Sequence, residues 1–463
     1  MMLDRYKLLI KNTLIFTLST LGNKAVALIL IPIYSHSLSL AEFGEVDIAL
    51  TVIMLLMPVI TASLYEAVQK YCILIPESRE RILSSALLSF VTISAFLGII
   101  VGVIYLFVWT DSKVILLYWI LLATSFYEFF ARFAKGTSNE IKFALANIAL
   151  SLALLCLNLV FVYKQGMGVN GVLLSQALAY TLSMLLLCMW LKLWKLIHPS
   201  SFEFQLLRKM LKLSAPLILN AAMWWIFDVS DRWIILYFED ASAVGLYSVA
   251  CKLAAILLIV HTILFQAWQI SAVAHKHDID RGRFYMNVST LYVMVIFTAC
   301  SVLIVSSQFL LESTLSDNYS QAWQLGCYLL LSTVFFSLAS FFGVFYVAFE
   351  KTKNALYSSV SSAIINIVMN FILIPYFGVI GAAYGTVIST FFLLLFRIVD
   401  TQKLCGFKFN KFLFFILISA VGFQLYLSLN EHVKYSILIS FCLVSALALN
   451  LIKHYKSLVG KYV

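Results

Sequence analysis

Long runs of apolar residues recur along the whole chain, and short segments between them hold most of the charges. Each run is long enough, at 1.5 Å per residue, to cross about 30 Å of hydrocarbon as a helix. We therefore expect an all-α, polytopic membrane protein with about fourteen transmembrane helices. The predicted spans are 11–34, 45–65, 83–108, 114–134, 142–163, 170–191, 211–237, 244–272, 284–310, 321–349, 355–376, 379–397, 411–429 and 435–452.

Composition agrees with this pattern. Of the 463 residues, 62% are hydrophobic and only 12% are charged, whereas soluble domains have about 25% charged residues. A soluble core could not bury so many apolar side chains. A transmembrane β-barrel is excluded as well, because barrel strands alternate apolar and polar residues.

The basic residues predict the orientation of the chain. With the N-terminus in the cytoplasm, 26 Lys and Arg fall on the cytoplasmic side and 3 on the outer side. Such a bias is the positive-inside pattern of a multi-pass membrane protein. We expect both termini in the cytoplasm, and we interpret the net charge of +10 as topology, with no nucleic acid as partner.

Several enzyme and cofactor signals are missing from the sequence. The eight cysteines are scattered without a CxxC pair, and no GxxxxGK[ST] loop is present. We expect no metal site, no disulfide framework and no cofactor. The outer loops have about twelve residues at most, which leaves no room for an extracellular catalytic domain. These features favour transport over catalysis.

The chain contains an internal repeat. Residues 41–60 align with 242–261, matching Gly44 to Gly245, and residues 158–171 resemble 370–382. Two six-helix units in the same orientation place substrate sites between the halves, near the membrane midplane. We predict an N-lobe at 1–198 with spans 1–6 and a C-lobe at 199–400 with spans 7–12. Residues 401–463 then hold spans 13–14 and a cytoplasmic tail.

Charged residues inside the predicted spans are the main candidate site. The segment WWIFDVSDRWIIL (224–236) places Asp228, Asp231 and Arg232 on one face of span 7. Asp228 and Arg232 have i,i+4 spacing and can form an ion pair. Lys252 of span 8 lies at a similar depth and could neutralise either aspartate. The alternative interpretation is that these charges only lock a helix in place.

Other polar positions extend this candidate site. Intramembrane charges usually face a bundle interior or a watery cavity. The predicted cavity has three cations, Lys24, Arg232 and Lys252, and two acids, Asp228 and Asp231. Its slight positive charge suits an anionic ligand such as a diphosphate. The acids could also titrate if transport is coupled to protons. The predicted cavity residues are Thr17, Thr20, Lys24, Trp224, Trp225, Asp228, Asp231, Arg232, Lys252 and Gln266.

Two further residues are expected to have structural roles. His261 lies about 180° around span 8 from Lys252, so we expect a packing histidine. Glu128 lies four residues before Arg132 near one end of span 4, and we expect an ion pair between them.

The segments 206–253 and 11–49 resemble spans 7–8 and 1–2 of Wzx-type O-antigen and capsular polysaccharide flippases. The similar pattern is Ser230-Asp231-Arg232, then Gly245-x-Tyr247-x-x-Ala250-x-Lys252. These flippases form the polysaccharide transport branch of the multidrug/oligosaccharidyl-lipid/polysaccharide (MOP) superfamily. The resemblance implies two MATE-like lobes around a central cavity, working by alternating access. It implies an oligosaccharide repeat unit on a polyprenyl diphosphate as cargo, moved to the outer leaflet for O-antigen, lipopolysaccharide, capsule or exopolysaccharide biosynthesis.

One departure from related flippases concerns the cargo. Sister flippases for the peptidoglycan precursor resemble each other in several cavity arginines, whereas in this chain only Arg232 lies in a predicted span away from the span ends. That difference puts a lipid II cargo in doubt.

Two alternatives remain from the sequence. A drug or cation antiporter of the same superfamily would have an acid-dominated cavity, and a membrane glycosyltransferase or polymerase would need larger outer loops. The expected partners are the lipid-linked oligosaccharide and the lipid bilayer. Polymerase and chain-length proteins of the same pathway are further candidates. An H+ or Na+ gradient is the candidate energy source.

Overall fold

The computed structural model describes residues 22–107, 110–275, 278, 280–405, 409–430 and 432–459. Within these residues the chain forms helices and turns, with no β-strand. Thirteen helices in this part are long and apolar enough to span a membrane, and they match predicted spans 2–14 one to one. The predicted span 11–34 begins outside the described residues, and its described part is helical. The all-α polytopic fold is therefore confirmed.

Fifteen helices, numbered α1 to α15, make up the described chain. Short 3-10 turns occur at Pro76–Ser78, Leu193–Lys195, Pro199–Ser201 and Asp317–Tyr319, and a π-helical turn, Leu159–Lys164, follows α6. The helices are α1 (22–37), α2 (Leu40–Ile60), α3 (Leu64–Leu74), α4 (Arg79–Phe107), α5 (Ser112–Gly136), α6 (Glu140–Asn158), α7 (Gly168–Leu191), α8 (Phe204–Phe238), α9 (Ala241–Ala274), α10 (Arg281–Thr314), α11 (Ala322–Ala348), α12 (Thr352–Phe377), α13 (Val379–Cys405), α14 (Lys411–Leu429) and α15 (Val433–Val459).

Internal packing divides the chain into two compact units, Met1–Val229 and Ser230–Val463. The division falls inside α8, which begins at Phe204, about two turns before the predicted span. The predicted lobe boundaries at 198 and 400 stay a prediction.

The internal repeat is visible in the N-terminal caps of α2 and α9, which are matching helices of the two units. Ser39 accepts a hydrogen bond from a first-turn backbone N–H of α2 at 3.2 Å, and Asp240 does the same for α9 at 2.8 Å. Ser39 and Asp240 are separated by the same offset as Gly44 and Gly245. Side-chain caps satisfy backbone N–H groups that have no partner within the helix. The alignment of these two segments therefore has a structural counterpart.

The later helices of each unit match as well. The turns before α6 and α12 contain Ser138 and Glu350, with φ of 59° and 60°. A Cβ atom on Gly171 of α7 would lie 3.1 Å from the carbonyl oxygen of Phe161 in the preceding helical segment. A Cβ on Gly381 of α13 would meet the end of its preceding helix even more closely. Both positions require glycine for this close approach, so the two aligned segments are also similar in structure.

The two units differ in their second membrane helix. We predicted one span at 45–65, but the structure breaks it after α2, where Ala62 and Ser63 have φ of 47° and 49°. Pro58 has no N–H to donate, and its carbonyl accepts from the Ser63 N–H at 2.9 Å. The corresponding helix in the second unit, α9, continues without a break for 34 residues.

An aromatic core holds the second unit together. Trp268 of α9 stacks on Phe341 of α11, with ring centroids 4.3 Å apart, and its indole N–H donates to the Phe341 carbonyl at 3.0 Å. His261 is buried in the same core, where its Nδ1 lies 2.6 Å from the Tyr292 hydroxyl. The predicted packing role of His261 is confirmed.

A buried polar network attaches the last two helices to α10. The Ser301 hydroxyl donates to Gln424 Oε1 at 2.7 Å, and Gln424 Nε2 donates to Ser440 Oγ at 2.8 Å. Ser301, Gln424 and Ser440 belong to α10, α14 and α15 respectively. Interhelical hydrogen bonds of this kind hold helices together where lipid removes the hydrophobic driving force.

Candidate functional site

Asp231 of α8 lies in the interior of the second unit, with only 7% of its surface exposed. Helices α9, α12 and α13 each direct polar side chains towards it. We call this group the Asp231 cluster. Its members are Asp231, Tyr247, Asn366, Asn370 and Thr386.

Three side chains donate directly to the Asp231 carboxylate. The Tyr247 hydroxyl lies 2.6 Å from Oδ2, and the Thr386 hydroxyl lies 2.9 Å from the same oxygen. The Asn370 amide nitrogen donates to Oδ1. Both carboxylate oxygens are thus hydrogen-bonded, from three different helices.

A second layer of bonds orients these donors. Asn366 Oδ1 accepts from the Asn370 amide at 3.3 Å and from the Ser230 hydroxyl at 3.4 Å. The Tyr247 and Thr386 hydroxyls lie 3.3 Å apart. The network therefore closes on itself and holds the direct donors in place.

Within the described chain, the donors to Asp231 are all neutral. Burial of an ionised carboxylate costs several kcal/mol unless it is paired or hydrogen-bonded. Hydrogen bonds to a charged group each stabilise by about 1.5–3 kcal/mol. Three such bonds can hold the carboxylate without a basic side chain as counter-ion.

Asn370 contributes an oxygen to the cluster as well as a nitrogen. Its Oδ1 is buried and has no hydrogen-bond donor in the described part of the chain. Gly385 permits this placement, because a Cβ there would overlap the Asn370 side chain. Amide and carboxylate oxygens are ligands that hard cations prefer. Within the described residues, no three His, Cys, Asp or Glu side chains are grouped as in a protein metal site.

Lys252, which could neutralise either Asp228 or Asp231 according to the sequence, is not a hydrogen-bond donor to Asp231 in the described chain. The direct donors to Asp231 from the described chain are Tyr247, Asn370 and Thr386. Tyr247 lies five residues before Lys252 on α9, so their side chains point about 140° apart. The side of α9 that faces Asp231 therefore carries Tyr247.

The other predicted residues of α8 lie in different environments. Asp228 is exposed and Arg232 is half-buried. Trp225 donates its indole N–H to the carbonyl of Thr51 in α2 at 2.8 Å, within the first unit. Trp224 is 57% exposed. Asp231 is thus the one α8 residue among these that is buried in a polar network.

The remaining predicted cavity residues are spread over other helices. Lys24 in α1 and Lys252 in α9 are half-buried, and Gln266 in α9 is exposed. Thr17 and Thr20 lie outside the described residues. The role of the whole set in substrate binding stays a prediction.

Sequence reasoning missed the four neutral members of the Asp231 cluster. Tyr247 and Asn370 stood inside segments that were noticed for other reasons, the Gly-x-Tyr pattern and the repeat. Asn366, Asn370 and Thr386 all fall in residues 354–396, which contain no charge. Amide side chains in so apolar a segment were the available signal, because buried polar groups need partners.

The first unit has a charged cluster of a different kind. Arg132 of α5 lies 3.4 Å from Glu128 and 3.0 Å from Glu66 of α3. It also donates to Gln69 Oε1 at 3.3 Å. The predicted Glu128–Arg132 pair is confirmed, and Glu66, which follows the break after α2, is a second acidic partner.

Comparison with solved structures shows the fold. The protein resembles the inward closed conformation of the lipid II flippase MurJ, with a TM-score of 0.68 and 15% identity over 96% of this chain and 100% of that chain. It also resembles an inward-facing MATE family transporter of the MOP superfamily, with a TM-score of 0.63 and 14% identity over 83% and 95%. A third similar structure is a MATE transporter from Vibrio cholerae, with a TM-score of 0.55 and 14% identity over 86% of this chain and 96% of that chain. The predicted MATE-like fold is confirmed.

Comparison with curated proteins finds no match. The family model described as polysaccharide biosynthesis protein matches residues 9–269, which is more than half of the chain. The matched region includes α8 and most of α9, and hence Asp231 and Tyr247. The chain therefore belongs to the polysaccharide biosynthesis protein family.

Proposed function

We propose that this chain is a flippase for a polyprenyl-diphosphate-linked oligosaccharide repeat unit. It moves this lipid from the cytoplasmic to the outer leaflet of the bacterial plasma membrane by alternating access. The product then serves O-antigen, capsule or exopolysaccharide biosynthesis. In this role the protein is a transporter and performs no covalent chemistry.

The family match carries this proposal. The family model supports a role in polysaccharide biosynthesis. The fold is similar to that of a lipid II flippase, which supports transport of a lipid-linked sugar as that role. The positive-inside bias supports the proposed orientation, with both termini in the cytoplasm. Polymerase and chain-length proteins of the same pathway are the proposed protein partners.

Lys24, Arg232 and Lys252 are the proposed ligands of the cargo's diphosphate. They lie in predicted spans away from the span ends, and each is at least partly exposed. Arginine and lysine are the usual partners of phosphate groups. Trp224 has an exposed aromatic face that can stack on sugar rings.

The Asp231 cluster is the proposed point of energy coupling. Its carboxylate is held by neutral donors, and the Asn370 oxygen beside it has no donor in the described chain. Uptake of H+ or Na+ would neutralise Asp231 and change which donors bond to it. Binding of the ion would thereby favour one arrangement of α8, α9, α12 and α13 over another.

Deletion of the gene and analysis of surface polysaccharide and lipid-linked intermediates test the flippase proposal. We expect the deletion strain to lose polymer and to accumulate the intermediate on the cytoplasmic side. The wild-type gene should restore polymer, whereas Arg232→Ala and Lys252→Ala should restore little while reaching the membrane in normal amounts. Lys434→Ala, an exposed lysine outside the proposed site, is the matched control.

Normal polymer in the deletion strain would overturn the proposal. If the deletion strain instead showed drug sensitivity with normal polymer, an antiporter of the same superfamily would be the better description. Accumulation of an intermediate already on the outer face would point to a polymerase.

A further inference from the structure

A groove lies between α12 and α13 in the second unit, near the start of α12 and the end of α13. Its volume is about 540 Å³. Along α13 it extends from Phe392 to Lys403, which is about 16 Å at 1.5 Å per residue. One leaflet of hydrocarbon is about 15 Å thick. The groove is therefore about one leaflet deep.

The walls of the groove change in polarity along its length. Ile365 of α12 and Phe392 and Phe396 of α13 line the part further from the helix ends. Asp400 and Lys403 line the part near those ends. Apolar and charged groups thus follow one another in the order of the acyl chain and headgroup of a phospholipid.

The open side of the groove is apolar. Phe392, Phe396 and Val399 are 49%, 44% and 56% exposed, although they belong to a helix that is apolar enough to span a membrane. Exposed aromatic and aliphatic side chains on a spanning helix are favourably placed against the hydrocarbon of the bilayer. An acyl chain is the occupant that fits this side.

The end of the groove nearest Lys403 is positively charged. Asp400, the acid in its lining, accepts a hydrogen bond from the Asn354 amide at 2.8 Å. Across residues 350–354 and 397–403 the chain has four cations and two acids. These are Lys351, Lys353, Arg397, Lys403, Glu350 and Asp400.

Arg397 adds a charge that no carboxylate in the described chain compensates. Its guanidinium donates to Ser358 Oγ at 3.1 Å, to Ser359 Oγ at 3.0 Å and to the carbonyl of Ala339 at 2.9 Å. Ser358 itself lines the groove. A wall hydroxyl that bonds to a cation places positive potential beside the position of a lipid phosphate.

We propose that this groove binds an anionic phospholipid of the cytoplasmic leaflet. The phosphate lies at Lys403, and one acyl chain packs against Phe392 and Phe396. Basic pockets between membrane helices on the cytoplasmic side bind anionic headgroups. The proposal rests on the proposed orientation, which places the basic ends of α12 and α13 in the cytoplasm, but it does not depend on the identity of the transported cargo.

Lipid retention by the purified full-length protein, measured by native mass spectrometry, tests this site. Phosphatidylglycerol and phosphatidylcholine with the same acyl chains are the two probes. We expect retention of phosphatidylglycerol over phosphatidylcholine. Lys403→Gln should weaken phosphatidylglycerol binding about fivefold, the effect of one cation near the membrane surface. Lys434→Gln, an exposed lysine on α15, should leave retention unchanged.

A second variant tests the acyl-chain part of the groove. Ser361 is exposed, and among the described residues its hydroxyl bonds only to the Tyr357 carbonyl of its own helix, at 2.7 Å. Ser361→Trp should fill the groove without unfolding the protein, and it should remove retention of phosphatidylglycerol. Equal retention of both lipids by the wild type, or unchanged retention in Ser361→Trp, would overturn the proposal. Displacement of phosphatidylglycerol by an equimolar polyprenyl phosphate would also overturn it and would assign the groove to cargo.

Discussion

Asn158 in α6 and Asn370 in α12 occupy matching positions in the two copies of the repeat, but they bond to different groups. In the first unit, Asn158 Oδ1 accepts from the Tyr34 hydroxyl at 3.0 Å. In the second unit, the Asn370 amide donates to the carboxylate of Asp231. In each case the asparagine ties the fifth helix of its lobe to the first.

The comparison separates a packing role from a charge-holding role. A neutral hydrogen bond stabilises by about 0.5–1.5 kcal/mol and is enough to join two helices, as in the first unit. The second unit uses the same position to hold a buried carboxylate, which is a more costly arrangement. Since packing alone does not need Asp231, we propose a functional role for its carboxylate.

Replacing the two asparagines should have unequal effects. We expect Asn370→Leu to destabilise the protein by about 3 kcal/mol and to lower transport at least about tenfold, because Asp231 loses a donor while it stays buried. Asn158→Leu should cost about 1 kcal/mol and leave transport close to wild type. Thermal unfolding in detergent and polymer production in the deletion strain measure the two effects. Similar losses of transport in both variants would show that the comparison is wrong.

The helices outside the repeat depend on a different polar group. Gln424→Leu should destabilise the protein by about 2 kcal/mol, because it leaves the buried hydroxyls of Ser301 and Ser440 with fewer partners. Gln308, which bonds to Glu312 at the surface, is the matched control, and its replacement by Leu should cost about 0.5 kcal/mol or less. Thermal unfolding measures both. A stable Gln424→Leu variant would mean that apolar packing alone holds α14 and α15.

The charged cluster of the first unit should contribute less than the Asp231 cluster. Arg132→Met should cost about 1–2 kcal/mol, since its partners are about one-third exposed and water screens them. Arg81→Met removes the more exposed pair with Glu203 and should cost about 0.5 kcal/mol or less. The difference between the two unfolding midpoints should shrink at high salt. Equal midpoints at low salt would remove the stabilising role of Arg132.

We expect the smallest changes in stability for glycine substitutions at the break after α2 and in the matching helix α9. These changes should have opposite signs in the two units. Ala62→Gly should stabilise the protein by about 0.5 kcal/mol, because glycine tolerates the positive φ at this position. Ala255→Gly, in the continuous helix α9, should destabilise by about 1 kcal/mol. Destabilisation by Ala62→Gly would indicate that its methyl group packs better than its backbone is strained.

Features that depend on local sequence were predictable. The spans follow from runs of about 20 apolar residues, and even the division between α12 and α13 at Gly378 was found correctly. The repeat followed from glycine positions such as Gly171 and Gly381, where a side chain would meet the preceding helix. The apolar runs and the glycine positions can both be read from the sequence without knowledge of contacts between distant residues.

Features that depend on contacts between helices were less predictable. The depth of Asp231 indicated a buried charge, but the direction of each neighbouring helix decided that Tyr247, rather than Lys252, faces it. The break after α2 involves Ala62 and Ser63, two residues that give no turn signal, beside Pro58. Proline alone is tolerated in membrane helices, so its presence did not predict a break.

Transport by reconstituted vesicles tests the central claim, that Asp231 couples an ion gradient to lipid translocation. Vesicles containing the full-length protein and a fluorescent polyprenyl-diphosphate oligosaccharide are given a proton gradient, a sodium gradient or none. We predict that one gradient accelerates translocation by the wild type. Asp231→Asn, which keeps the size of the side chain, should give the same rate with and without that gradient. Acceleration of Asp231→Asn to the wild-type extent would contradict the account.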